Sequence, residues 1–108
     1  MRRKFGTDLF GDDFNDYKKK VVWEKAEIIP TENKDQKRKD RCGAIIHWDK
    51  YGDTTDTGFG WEIDHIKPVV LGGTDELTNL QALQWQNNRQ KSDVYPGLKY
   101  CKISAGSR

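Results

Sequence analysis

Cysteine is scarce in this chain: Cys42 and Cys101 stand alone, and no CxxC pair exists. Zinc-ribbon spacing is therefore excluded and no structural zinc is expected. In a reducing compartment two free thiols are expected rather than a Cys42–Cys101 disulfide. Apolar residues are few as well, 34% of the chain with a mean hydropathy of −0.95, so 108 residues can bury only the modest core of one domain. No run approaches the ~18 consecutive apolar residues of a membrane span, and the opening MRRKFGTDLFGDD lacks the apolar segment of a signal peptide. A soluble, cytoplasmic protein with no membrane partner is expected.

What apolar area there is comes largely from aromatics. Trp23, Trp48, Trp61 and Trp85 can each bury about 150–250 Å², which points to a small aromatic core. The net charge is only +2, yet it is unevenly spread. Residues 1–41 carry 12 Lys/Arg against 9 Asp/Glu, residues 42–88 carry 2 against 7, and residues 89–108 carry 5 against 1. An acidic centre between basic arms suits a protein that holds a cation on carboxylates and a polyanion around it. Runs such as Lys18-Lys19-Lys20 and Lys37-Arg38-Lys39 read equally well as solvated faces.

Along the chain, residues 1–12 show no sustained period and read as a flexible arm. Phe14, Tyr17 and Val21, flanked by Val22, Ala26 and Ile29, recur at helical spacing, which predicts a helix over 14–27 capped by Asp12 or Asp13 and stopped before Pro30. The polar segment 31–41 reads as a linker or short irregular helix, so that 13–41 form an N-terminal helix and linker. Residues 44–48 alternate in the manner of a strand and are expected to pair antiparallel with a strand at 61–66. His47 on that strand reads as a surface residue. Further strand and helix patterns fall at 80–83 and 85–91, the helix too short and polar to stand alone and expected to dock through Trp85. The basic stretch 96–108 reads as a tail or added edge strand.

Chemistry concentrates in residues 61–93, WEIDHIKPVVLGGTDELTNLQALQWQNNRQKSD. Asp64-His65 close a strand, Gly72-Gly73 make a turn, Asn79-Leu80 follow, and Asn88 sits in NNRQKSD. This ordered set, over about residues 42–95, resembles the HNH nuclease family in its variant with Asn in the last position. The resemblance implies an α+β, ββα-metal fold with an extra N-terminal helix and strand. It also implies catalytic residues His65, Asp64, Asn79 and Asn88, with Asp64 and Asn88 as metal ligands and Asn79 tying the loop that holds the histidine; an Asx turn after Thr78 is compatible with that role.

Phosphodiester hydrolysis needs an activated water and neutralisation of the charge that builds on the phosphoryl and leaving oxygens. A neutral imidazole is a suitable base near pH 7, which assigns that part to His65. A carboxylate and an amide carbonyl form an all-oxygen pair that favours Mg²⁺, with Mn²⁺ as a substitute. By the period of two, however, Asp64 and His65 point to opposite faces. For both to serve one site, the strand must twist or end there, or the pair must straddle the substrate, the arrangement the resemblance supports. Glu62 shares a face with Asp64 and could orient a ligand, or be a solvated strand residue. Arg89, Lys91 and Lys67 are the candidate phosphate contacts. The expected function is a metal-dependent endonuclease that cuts double-stranded DNA by direct attack of water, leaving 5′-phosphate ends by family precedent, and that works as a homodimer or in a larger nuclease complex. The rivals are an inactive nucleic-acid-binding module of the same fold, a ribonuclease or toxin nuclease, and a small zinc-binding structural protein.

Overall fold

A strand that ends on Asp-His, a turn, a second strand and a short polar helix form the centre of the molecule, seen in a computed structural model that describes residues 4–55, 58–97 and 99–104. In chain order the elements are α1 (Asp16–Glu24), β1 (Glu27–Ile28), β2 (Lys37–Lys39), β3 (Ile45–His47), β4 (Trp61–His65), β5 (Leu80–Gln84) and α2 (Trp85–Lys91). Strands β4 and β5 pair antiparallel from Trp61↔Gln84 to His65↔Leu80. All five residues of each are buried, because α1 and α2 both pack on this hairpin. The unit β4-β5-α2 is the ββα arrangement, and the fold is α+β with the expected additional helix.

The N-terminal helix is shorter than its apolar spacing predicts. Asn15, rather than Asp12 or Asp13, caps it by accepting from Lys18 N–H at 2.9 Å. It stops at Glu24 because Glu27 and Ile28 are drawn into pairing with β2. Val22 and Trp23 are its buried residues, while Tyr17 is exposed. Across the middle of the domain Trp23, Trp48 and Trp61 meet with ring centroids 5.2–5.8 Å apart, and Tyr51 stands edge-on to Trp61. The aromatic core is therefore built from three of the four tryptophans.

Strand β3 does not pair with β4, contrary to the alternation-based expectation. It pairs with β2, in register Arg38↔Ile46, and β2 pairs in turn with β1, giving a separate three-stranded sheet. The reason lies in the segment read as a linker. Lys37 and Lys39 point outward, but Arg38 is buried and donates to the carbonyls of Lys34, Glu24 and Ala26 at 2.8–3.1 Å. Its guanidinium thus satisfies carbonyls at the C-terminal end of α1, which no charge-run reading anticipates. The Lys18–Lys20 run is likewise engaged: Lys18 Nζ donates to the Asp75 carbonyl at 3.3 Å, and Lys19 lies 4.5 Å over the Tyr51 ring.

Cys42 and Cys101 form a disulfide, with Cα atoms 5.5 Å apart, which overturns the expectation of two free thiols. Their separation in sequence gave no indication of the pairing, because the C-terminal segment folds back along α2. Asn87 of α2 holds it there: its Oδ1 accepts from Lys102 and Ile103 N–H at 2.7 Å, and its Nδ2 donates to the Ile103 carbonyl at 2.9 Å. No helix among the described residues is long and apolar enough to cross a membrane.

Candidate active site

The turn after β4 is dictated by close approach. At Gly73 a Cβ would stand 1.7 Å from the Lys67 carbonyl oxygen and 3.0 Å from Asn79 Nδ2, so only glycine fits. Gly72 turns the chain with a φ of +95°. Asn79 then stitches the loop closed: its Oδ1 accepts from Lys67 N–H at 2.8 Å, and its Nδ2 donates to the Lys67 and Thr74 carbonyls at 3.1 and 2.9 Å. Its backbone carbonyl accepts from Ile66 N–H at 2.7 Å. Asn79 is thus a brace beneath the site and does not line the cavity.

That cavity, of about 370 Å³, is lined by Asp64 and His65 from β4 and by Asn88 from α2, with Ile63, Pro68 and Val69 among its apolar walls. The two neighbours on β4 share one cavity because the strand ends at His65. Each of the three polar residues is tied on one atom. His65 Nε2 is 2.7 Å from Asp75 Oδ1, and Asp75 Oδ2 accepts from Leu9 N–H at 3.1 Å. Asp64 Oδ2 accepts from Gln81 Nε2 at 3.0 Å and lies 3.2 Å from the Lys91 ammonium. Asn88 Nδ2 donates to Glu62 Oε1 at 2.8 Å, which fixes the amide so that its carbonyl is the remaining polar atom. The second atoms, Asp64 Oδ1, His65 Nδ1 and Asn88 Oδ1, have no partner among the described residues.

Electrostatics follow from burial. Desolvation pushes the Asp64 carboxyl above its usual range, against the opposing pull of Lys91, Gln81 and His65. At Asp75 burial also pushes upward, but the His65 hydrogen bond, the Leu9 N–H and the charges of His65 and Lys18 together hold the group below its usual range. Asp75 is thus an anion beside the imidazole, and the Nε2–H tautomer is the one that makes this bond.

Of the expected phosphate contacts, two are committed elsewhere. Lys91 is buried, 2% exposed, with Nζ donating to the His65 carbonyl at 2.9 Å while it pairs with Asp64. It clamps α2 to the end of β4. Arg89 forms a two-pronged pair with Glu62 at 2.6 and 3.0 Å, which leaves Glu62 neither solvated nor uncompensated. Lys67 is exposed. Nor does α2 dock through Trp85, which is half-buried with its indole N–H unpartnered among the described residues. The helix instead buries Asn87, Asn88 and Lys91, each hydrogen-bonded.

Asp75 is the residue that sequence reasoning missed. It lies in a loop where no periodicity operates, next to Glu76, and nothing in the string separates the two acids. Asp40 was missed likewise. It is buried, and its two oxygens accept from Cys42 N–H, Ala44 N–H, Gln84 N–H and Asn87 Nδ2 at 2.8–3.0 Å.

The residues fit a hard divalent cation. Asp64 and Asn88 offer one carboxylate and one amide oxygen at the same cavity, neither satisfied by the protein, and this donor pair leaves the remaining positions to water and substrate. Among the described residues no three His, Cys, Asp or Glu side chains converge to hold an ion. The model of the HNH endonuclease family matches residues 40–93, half of the chain and the span that carries every residue of this site except the N-terminal contacts. No curated protein and no solved structure matches the chain. The chain belongs to the HNH endonuclease family.

Proposed function

We propose that this protein is a divalent-metal-dependent endonuclease that hydrolyses phosphodiester bonds of double-stranded DNA. The observation that carries this reading is the pairing of roles at one cavity: each of Asp64, His65 and Asn88 is anchored through one atom and leaves the other unpartnered. A protein that only bound nucleic acid would have no need of an oriented base beside two unsatisfied oxygen donors. That contrast ranks the inactive-module reading second.

In the proposed reaction His65 Nδ1 takes a proton from the attacking water. The Nε2–H keeps donating to Asp75, whose negative charge stabilises the imidazolium as it forms. Asp64 and Asn88 are the side chains that would hold the cation, and Mg²⁺ suits their oxygens best, with Mn²⁺ as a substitute. When bound, the cation neutralises charge on the phosphoryl oxygens and on the departing alkoxide. Glu62 keeps the Asn88 carbonyl aimed at the cavity, and Lys91 partly offsets the charge of Asp64. Asn79 positions the loop and touches no reacting atom.

The test is conversion of supercoiled plasmid to nicked and linear forms with Mg²⁺, Mn²⁺ or EDTA. Wild type is expected to cut only with metal. His65→Ala is expected to lose about 10²–10⁴-fold in rate at unchanged DNA affinity, and Asn88→Ala to require more metal. Cutting in EDTA, or a His65→Ala enzyme as fast as wild type, would sink the mechanism; RNA and single-stranded DNA run in parallel decide the substrate.

A further inference from the structure

A polyanion must reach this cavity, yet the cations nearest to it in sequence are committed: Lys91 to Asp64 and the His65 carbonyl, Arg89 to Glu62. Lys67 is exposed but does not line the cavity. The lining residues include two carboxylates, Asp64 and Asp93, and among the described residues a single Lys or Arg, which is Lys4.

Lys4 comes from the segment read in the sequence as a loose arm, and that arm is fastened across the site. The Phe5 ring lies 4.1 Å from the Arg89 guanidinium. Gly6, with a φ of +74°, runs so close to β4 that a Cβ there would meet Glu62 at 3.6 Å. Thr7 Oγ1 donates to the Lys4 carbonyl at 2.6 Å, and Thr7 bridges to Asp13. Leu9 N–H donates to Asp75. The backbone at Lys4 is therefore set by contacts to the partners of both Asn88 and His65, while its ammonium is exposed and makes no ion pair among the described residues.

We infer that Lys4 is the cation that binds a substrate phosphate at this cavity, delivered by an N-terminal arm that forms one wall of the site. The assignment rests on the nuclease reading for its substrate, a nucleic-acid backbone. It explains why the core can spend Arg89 and Lys91 on internal pairing: the positive charge that the substrate meets is supplied from outside the ββα unit.

The experiment measures duplex binding by fluorescence anisotropy as a function of salt, in the full chain with Mg²⁺ and a His65→Ala background that prevents cutting, alongside steady-state cleavage in the His65 enzyme. Lys4→Ala is expected to weaken binding about three- to tenfold and to lower the salt slope by about one. Lys4→Glu should weaken it further, and Lys4→Arg should restore it. In cleavage, Lys4→Ala is expected to raise KM at unchanged kcat, the signature of uniform binding. Lys34→Ala, an exposed lysine away from the cavity lining, should behave as wild type. If wild type cuts and Lys4→Glu matches it in KM and salt slope, this assignment fails and the nuclease reading stands. If wild type cuts nothing under any metal while Lys4→Glu still loses duplex binding, the nuclease reading fails and the phosphate site stands. Binding unchanged by Lys4→Glu overturns the assignment in either case.

Discussion

Asp75 is held from two sides, and this decides what it can do for His65. Its Oδ2 accepts from the Leu9 backbone N–H, and its Oδ1 faces His65 Nε2. An Asn at this position could satisfy Leu9 only by placing its carbonyl on that side, which turns its NH₂ toward Nε2. The imidazole would then move its proton to Nδ1, the atom the proposed mechanism requires as the base. Asp75→Asn is therefore expected to reduce kcat by about 10²–10⁴-fold, as loss of the correct tautomer does in triad enzymes, at unchanged DNA affinity. The ¹⁵N shifts of the His65 ring should report a switch from the Nε2–H to the Nδ1–H form. A variant that keeps the Nε2–H tautomer and full activity would show that Asp75 does not position the base.

Between elements, polar bonding does work that apolar contact usually does. Helix α2 has no broad apolar face; Gln84 caps it by accepting from Gln86 and Asn87 N–H, and Asn87 joins it to the C-terminal segment. Asp40 ties the turn before β3 to the junction of β5 and α2 through four donors. Burial raises the pKa of this carboxyl, and the four hydrogen bonds oppose that rise. Asp40→Asn keeps the shape but replaces one acceptor oxygen with an NH₂ group that faces existing donors. Each donor so orphaned costs about 1–3 kcal/mol, a loss to be read from the urea midpoint at constant slope. Asp35→Asn, in an exposed turn, should stay within about 0.5 kcal/mol. Equal midpoints for the two variants would remove Asp40 as the node between the sheet and the ββα unit.

For the molecule as a whole, the Cys42–Cys101 bridge closes a loop with a sequence separation of 59 that contains β3, β4, β5 and α2, and so all of the site except its N-terminal arm. Constraining that loop in the unfolded chain is worth about 2–4 kcal/mol. Reduction, or Cys42→Ser with Cys101→Ser, is expected to lower the denaturation midpoint accordingly, in both the metal-free and the Mg²⁺-loaded protein. A midpoint indifferent to reductant would mean that packing and the Asn87 bonds alone hold the C-terminal segment. The metal should add stability by mass action, and EDTA should remove that increment independently of the disulfide.

The two strands, the glycine turn and the short helix of the ββα unit were legible in the string because strand period, turn residues and short-helix spacing are local properties, while the set Asp64, His65, Asn79 and Asn88 came from the resemblance to the HNH family. So was the aromatic character of the core. Local pattern could not tell which strand β3 would pair with, since pairing depends on Arg38 finding the carbonyls at the end of α1. Nor could it reveal that Lys91 and Arg89 would be consumed within the fold, or that Asp75 rather than Glu76 would meet the histidine. These outcomes, with the disulfide and the arm across the site, bring together groups far apart in sequence. Distant partners are chosen by the desolvation of charge and the satisfaction of buried donors, and both exist only once the chain has closed around them.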